Sequence, residues 1–277
     1  MIFRVEHTTR YTYDKPVFLE PHTFRLRPRS DHRQTLRQFD LRVEPAPMLL
    51  SESLDLDGNI VTRAWFSGLT DSFVIASKFE VETVCPNPFD YLLETSAGQL
   101  PLSYGEPLLE AYRISNADES VRKFAAQIAG EQNHKTLSFL FTLSAEIAKT
   151  CRQTVRHDGF PHPAHETLAR REGTCRDLAV LFIEACRAMG IAARFVSGYD
   201  CGDPKAEQQH LHAWAEVYLP GGGWRGYDPA EGLAVSDAHV AVASSPEPRG
   251  AIPVTGNFRS SDARGSMQVQ IQLNSST

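Results

Sequence analysis

The residue best placed to do chemistry is Cys175, which follows Gly173 and Thr174 at the head of the apolar run "CRDLAVLFIEACRAM". "T-C-R-D" fits a capping box, in which the Thr174 hydroxyl meets the first helical turn and Asp177, three residues on, reaches back. Gly190 follows Met189 as a stop signal, so a helix over 175–189 is expected with Cys175 as its first residue. Almost every position in it is apolar, which implies burial on nearly all sides. The partial positive charge at a helix N-terminus favours thiolate, the form that attacks a carbonyl carbon. Gly173 leaves room for a substrate, and a backbone N–H at the same helix end can stabilise the oxyanion formed on attack. Free cysteines are usually inert packing groups, as Cys186 is read to be, so a nucleophile also needs a base and a group to orient it.

The strands that follow supply both. Alternation in "LHAWAEVYL" puts His212, Trp214, Glu216 and Tyr218 on one face and Ala213, Ala215, Val217 and Leu219 on the other. In "WRGYDP", Asp228 shares a face with Trp224 and Gly226, and Pro220 to Gly223 join the two runs as a hairpin. Register then decides the chemistry, because a slip of one residue turns a side chain to the opposite face. Pairing Tyr218 with Trp224 sets Asp228 opposite Trp214, on the His212 face and diagonal to it. Pairing Leu219 with Trp224 instead separates His212 from Asp228.

The elements that must hold these residues fall into two groups. Segments 2–13, 22–28, 37–43, 60–66 and 73–84 are rich in Val, Ile, Phe, Tyr and Thr with partial period-two alternation, which suggests an antiparallel sandwich. "DLDGNIV" has its glycine two places too early for a calcium loop of the EF-hand type and reads as a hairpin turn at Asp57, Gly58 and Asn59. Proline-bearing stretches between 85 and 107 lead into helical spacing at 107–129 and 137–152. The expected division is a β-sandwich domain over 1–95 and an α+β catalytic domain over 96–277.

Three blocks carry a resemblance to a known family: "GTCRDLAVLFIEACRAMGIAARFVSGY", "LHAWAEVYLPGGGWRGYDP" and "AHVAVASSPEPRGAIPVTG". They resemble the core of bacterial transglutaminase-like proteins, a family that includes cysteine proteases. "YTYDKPVFLEPHTFRLRP" is similar to the β-sandwich that precedes that core in bacteria. The resemblance implies a papain-like core with a Cys-His-Asp triad, which falls on Cys175, His212 and Asp228. It implies a thiol enzyme working on peptide or amide bonds through an acyl-enzyme, a cysteine protease or amidase, with protein-glutamine transglutaminase as the alternative outcome. Trp214, an indole donor close to His212, is the candidate for a second oxyanion donor. Relatives often carry an aromatic residue shortly before the "ETL" segment; this chain reads "CRQTVRHDGFPHPAHETL" there, which implies a different cleft lining.

Composition narrows the alternatives. The 277 residues are 42% apolar and 22% charged, as in ordinary folded proteins. A net charge of −6 and a pI near 5.9 oppose non-specific nucleic-acid binding, and the basic run "RLRPRSDHR" at 25–33 reads as a solvated strand or turn. There is no charged start followed by an apolar stretch and no membrane-length apolar run, so a cytoplasmic protein is expected, with a peptide or protein as its partner. Five cysteines without a C-x-x-C pair read as free thiols. His210, His212, Cys201 and Asp228 include zinc-ligand types, and His157, His162 and His165 cluster upstream, but no pair has a zinc-motif spacing, so neither metal nor cofactor is expected. A silent peptide-binding module is the reading of a different class, and the intact Cys, His and Asp set argues against it.

Overall fold

The computed structural model describes residues 1–105, 107–156, 159–201 and 209–276. The first strands are β1 (Ile2–Leu19), β2 (His22–Phe24), β3 (Gln34–Glu44), β4 (Leu49–Leu54), β5 (Ile60–Trp65) and β6 (Thr70–Thr83). Their inward positions alternate as the sequence pattern requires: Phe3, Val5, Val17 and Leu19 of β1 and Phe73, Ile75, Phe79 and Val81 of β6 are all buried. β1, β6 and β3 form one antiparallel sheet, and β2, β5 and β4 form the other. The expected turn at Asp57 joins β4 to β5: Gly58 adopts φ +80°, and Oδ1 of Asp55 accepts the backbone N–H groups of Asp57 and Asn59.

Helices follow: α1 (Glu119–Glu131), α2 (Thr136–Thr150), α3 (Ala164–Arg170) and α4 (Cys175–Ala188), with the short parallel pair β7 (Arg152–Gln153) and β8 (Glu172–Gly173) leading into α4. The helix expected from 107 starts only at Glu119, because Asp118 caps it by accepting Ser120 N–H. Before it, Pro107–Tyr112 winds as a 3-10 turn. The core sheet consists of β9 (Ala193–Asp200), β10 (His212–Leu219), β11 (Gly223–Asp228), β12 (Leu233–Ala234) and β13 (His239–Ser245), in the order β12-β11-β10-β9-β13. α4 covers one face of it, where Leu178, Leu181, Phe182 and Ala185 join Ala213, Ala215, Val217 and Leu219 in the main apolar core.

The division at 95 with everything after it in the core needs one correction. The chain's last strands, β14 (Val254–Thr255), β15 (Phe258–Arg259) and β16 (Gly265–Ser276), return to the sandwich. β14 pairs with β2, and β16 pairs with β1 over twelve positions, from Ile2 opposite Ser276 to Tyr13 opposite Gly265. The edge strand β1 would otherwise be an open template for association, and the C-terminus closes it.

The two units share a continuous interface. Phe3, Val5, Phe79 and Val81 of the sandwich pack with Tyr199, Val240 and Val242 of the core sheet. β13, at the edge of that sheet, is met by side-chain amides in place of a strand. Gln34 exchanges two 2.8 Å hydrogen bonds with the backbone of Ala241, and Asn59 does the same with Ser244. The basic run at 25–33 belongs to this interface and is not a solvated turn. Arg29 meets buried Glu216 at 2.6 Å, Arg194 reaches the same carboxylate from β9, and Arg33 donates to the Val235 carbonyl. Among the described residues no helix is long and apolar enough to cross a membrane.

Candidate active site

Cys175 occupies the first position of α4, and the expected capping box is present around it. Asp177 Oδ2 accepts both the backbone N–H and the hydroxyl of Thr174, at 2.7 and 2.9 Å. The carboxylate does more than cap. It is fully buried, Oδ1 accepts His162 N–H at 2.7 Å, and Arg156 grips both oxygens at 2.9 and 3.2 Å. Arg176 donates to the carbonyls of Gly159 and Arg156, so Arg156, Gly159 and His162 are tied to the helix N-terminus through two consecutive positions, Arg176 and Asp177. Burial alone would raise the Asp177 pKa; the bonds from Arg156, His162 and Thr174 outweigh it and hold the carboxyl below its usual range. At Gly173 a Cβ would lie 2.8 Å from Cβ of Asp177, so the cap leaves room only for glycine there. Phe160, in the "ETL" approach segment, is exposed and lies under the Arg249 guanidinium.

The hairpin adopts the register in which Tyr218 faces Trp224 and Leu219 faces Gly223. Asp228 therefore falls on the His212 side, and its Oδ2 lies 2.6 Å from Nε2 of His212. Both side chains are buried, Asp228 completely. Oδ1 of Asp228 accepts the backbone N–H groups of Ala230 (2.9 Å) and Glu231 (3.3 Å), which fixes the plane of the carboxylate. Cys175, at the N-terminus of α4, is close enough to the imidazole to raise its pKa as well. With Nε2 given to Asp228, Nδ1 is the nitrogen left for the thiol. Burial works against a charged imidazole, but the charge and hydrogen bond of Asp228, with Cys175 on the other side, hold the His212 pKa well above its ordinary value. Asp228 is pushed the opposite way: burial would raise it, and His212 and His239 keep it far below the carboxylate range.

Trp214 does not stand where a substrate donor is needed. It is 1% exposed, packs with Val196, Val235 and Ala241, and buries an indole N–H that has no acceptor among the described residues. It forms the floor under the two imidazoles, with ring centroids 6.1 Å from His212 and 5.3 Å from His239. Gly198 makes room for it, since a Cβ there would sit 2.5 Å from the indole.

Of the zinc-ligand types noted in the sequence, His212 and Asp228 come together, and Cys201 and His210 do not join them. His162 lies 3.9 Å from Glu166, His165 is exposed, and His157 lies outside the described residues. The residue that sequence reasoning missed is His239, at the start of β13, whose Nε2 is 3.2 Å from Oδ2 of Asp228. His212, Asp228 and His239 have donor atoms within 4.8 Å of one another, but those atoms are spent on each other as a hydrogen-bonded chain. A polar residue opening an otherwise apolar strand, "HVAVASS", was the available signal.

A cysteine on a buried helix facing a histidine and an aspartate on an antiparallel sheet is the arrangement of papain-like folds. The chain matches two family models of transglutaminase-like proteins. Its residues 3–82 match the bacterial transglutaminase-like N-terminal region, and residues 122–229 match the transglutaminase-like superfamily core. Uncharacterized proteins of Mycobacterium leprae and Mycobacterium tuberculosis are each 26% identical to it. The first match spans 265 residues and 92% of each chain; the second spans 289 residues, 98% of this chain and 92% of the relative. A solved structure from Cytophaga hutchinsonii, provisionally named a cysteine protease, has a TM-score of 0.73 at 19% identity, covering 100% of this chain and 92% of that one. The likeness establishes a shared fold through both domains.

Proposed function

We propose that this protein is a thiol hydrolase of peptide or amide bonds, with Cys175 as nucleophile, His212 as acid and base, and Asp228 as the group that orients the imidazole. The observation that carries the reading is the His212 ring, bound to Asp228 at 2.6 Å, with Cys175 at the N-terminus of α4 near enough to raise its pKa. Cys175 gives its proton to His212 and its sulfur attacks the carbonyl carbon. The oxyanion that forms lies against the first-turn N–H groups of α4, which have no acceptor within the helix. Collapse of this intermediate breaks the C–N bond, His212 returns the proton to the departing amine, and a thioester remains on Cys175. Water, deprotonated by the same imidazole, then releases the acid and restores the thiol. An amine in place of water would give a new amide bond by the same steps.

The test follows the alkylation rate of Cys175 against pH by peptide mapping, in wild type and in His212→Ala. An ordinary cysteine reacts through a thiolate formed near pH ~8.5, whereas an ion-paired thiolate persists several units lower. The expected result is reaction at about pH 5–6 in wild type and its loss in the variant. Ordinary thiol curves in both would overturn the reading and favour a silent peptide-binding module. With reactivity established, intact-mass analysis of peptide substrates with and without a primary amine separates hydrolysis from transfer.

A further inference from the structure

Oδ2 of Asp228 lies within hydrogen-bond distance of two imidazoles. His212 approaches from β10 at 2.6 Å and His239 from β13 at 3.2 Å. Building on the triad reading above, we propose that His239 is a positioning residue that clamps Oδ2 of Asp228 in line with His212, extending the catalytic chain to Cys175–His212–Asp228–His239.

Three observations support the assignment. The backbone N–H groups of Ala230 and Glu231 hold Oδ1, so His239 supplies the only further side-chain grip on Oδ2 among the described residues besides His212 itself. Without it, Oδ2 is held only by His212, the very ring the carboxylate has to orient. Second, the His239 ring is buried, and its Nδ1 has no partner among the described residues. A proton on Nδ1 would be a buried donor with nothing to meet, while a bare Nε2 would face a carboxylate lone pair; the Nε2–H tautomer avoids both. Third, the indole of Trp214 packs edge-to-face on His239 at 74° while lying under His212, so one side chain sets the attitude of both rings.

Among the described residues, few charged and titratable groups face this chain. Asp228 comes from β11, Cys175 from α4 and His239 from β13, and Asp200 at the end of β9 lies 3.9 Å from Nε2 of His212. Asp200 is too far to hydrogen-bond and does not replace the grip of His239.

The test uses full-length protein labelled with 15N-histidine, with His239→Phe and His239→Gln beside wild type. Phe keeps a ring on Trp214 without a donor, and Gln keeps an N–H that can point at Asp228. NMR of the imidazole nitrogens reads the tautomer directly and is expected to find Nε2–H on His239 in wild type; the Nδ1–H form would overturn the inference whether or not Cys175 reacts. In His239→Phe, Cys175 alkylation at about pH 5–6 is expected to fall about tenfold, the scale of one hydrogen bond to a charged acceptor, and the His212 titration to move down. His239→Gln is expected to stay within about twofold of wild type. A His239→Phe protein with the wild-type pH profile and His212 titration would reduce His239 to packing and overturn the inference. Should His239→Phe not fold, the wild-type tautomer and the Gln variant still decide: a Gln protein that folds but loses the low-pH reactivity counts against a donor role. Failure of the triad reading looks different, because wild-type Cys175 would then follow an ordinary thiol curve while the tautomer and the His212 titration still report on His239.

Discussion

Asp177→Asn tests how the helix N-terminus is built. The wild-type carboxylate receives five donors: Thr174 N and Oγ1 and one Arg156 nitrogen at Oδ2, and His162 N and the other Arg156 nitrogen at Oδ1. An asparagine that keeps its carbonyl toward Thr174 must turn its NH2 toward His162 N–H and the Arg156 guanidinium, leaving two donors without an acceptor. Each lost bond to a charged acceptor is worth about 1.5–3 kcal/mol when buried. The Arg156 side chain is 26% exposed and recovers part of its loss in water. The expected destabilisation is therefore about 3 kcal/mol at neutral pH, the lower end for breaking a buried ion pair. Urea unfolding, with an unchanged slope and a lowered midpoint, measures it. Because the folded-state pKa of Asp177 is depressed, its contribution is complete above the unfolded value of 3.8 and disappears as pH falls through the folded value. The gap between wild type and variant should hold from neutral pH down to about pH 5 and close below about pH 4. A difference under about 1 kcal/mol at neutral pH, or one that persists unchanged at pH 3, would refute this account of the cap.

Other perturbations probe what surrounds the site. Glu216→Gln leaves Arg29 and Arg194 facing a neutral amide at the junction of sandwich and core; a loss of about 3 kcal/mol and faster hydrogen exchange in β10 and β13 are expected. Gly198→Ala puts a Cβ 2.2 Å from the Val240 carbonyl and 2.5 Å from the Trp214 indole, so it should cost about 1–3 kcal/mol and, by tilting the floor under His212, lower Cys175 reactivity. A wild-type alkylation profile in a folded Gly198→Ala protein would separate Trp214 from the site. Burial pulls the His7 pKa down to about 4, beneath the domain interface where its Nδ1 meets the Tyr199 hydroxyl at 2.7 Å. The unfolded chain takes up that proton first, so stability should decline as pH drops from about 6.5 toward 4, by up to about 3 kcal/mol. His7→Gln should flatten that part of the curve in pH-dependent unfolding.

What could be read in advance was local. The helix start at Cys175 follows from the capping residues and from an apolar run that only a covered helix can carry. The meeting of His212 and Asp228 was reduced to one register or a bulge, and the structure has the register, with the Pro220–Gly222 turn and Ala213, Ala215, Val217 and Leu219 buried against α4. The family resemblance rests on the same local blocks. Trp214 shows the limit of this reading: alternation placed it beside His212, but only the packing of Val196, Val235 and Ala241 around it seals its N–H away from a substrate.

Contacts between segments far apart in sequence were decided by the tertiary structure. β16 lies against β1 across more than 250 positions, and nothing in either strand's alternation names its neighbour. The basic run at 25–33 looks solvated in sequence because charge alone implies water; Glu216, almost two hundred residues later, makes its burial possible. His239 needed the bend from β11 to β13 to bring it onto Asp228. A period of two or of 3.6 residues reports which face of an element is apolar, a property the chain carries locally. Which element covers that face depends on the shape and register of the whole, and that is where the carboxylate of Asp228 acquires its second histidine.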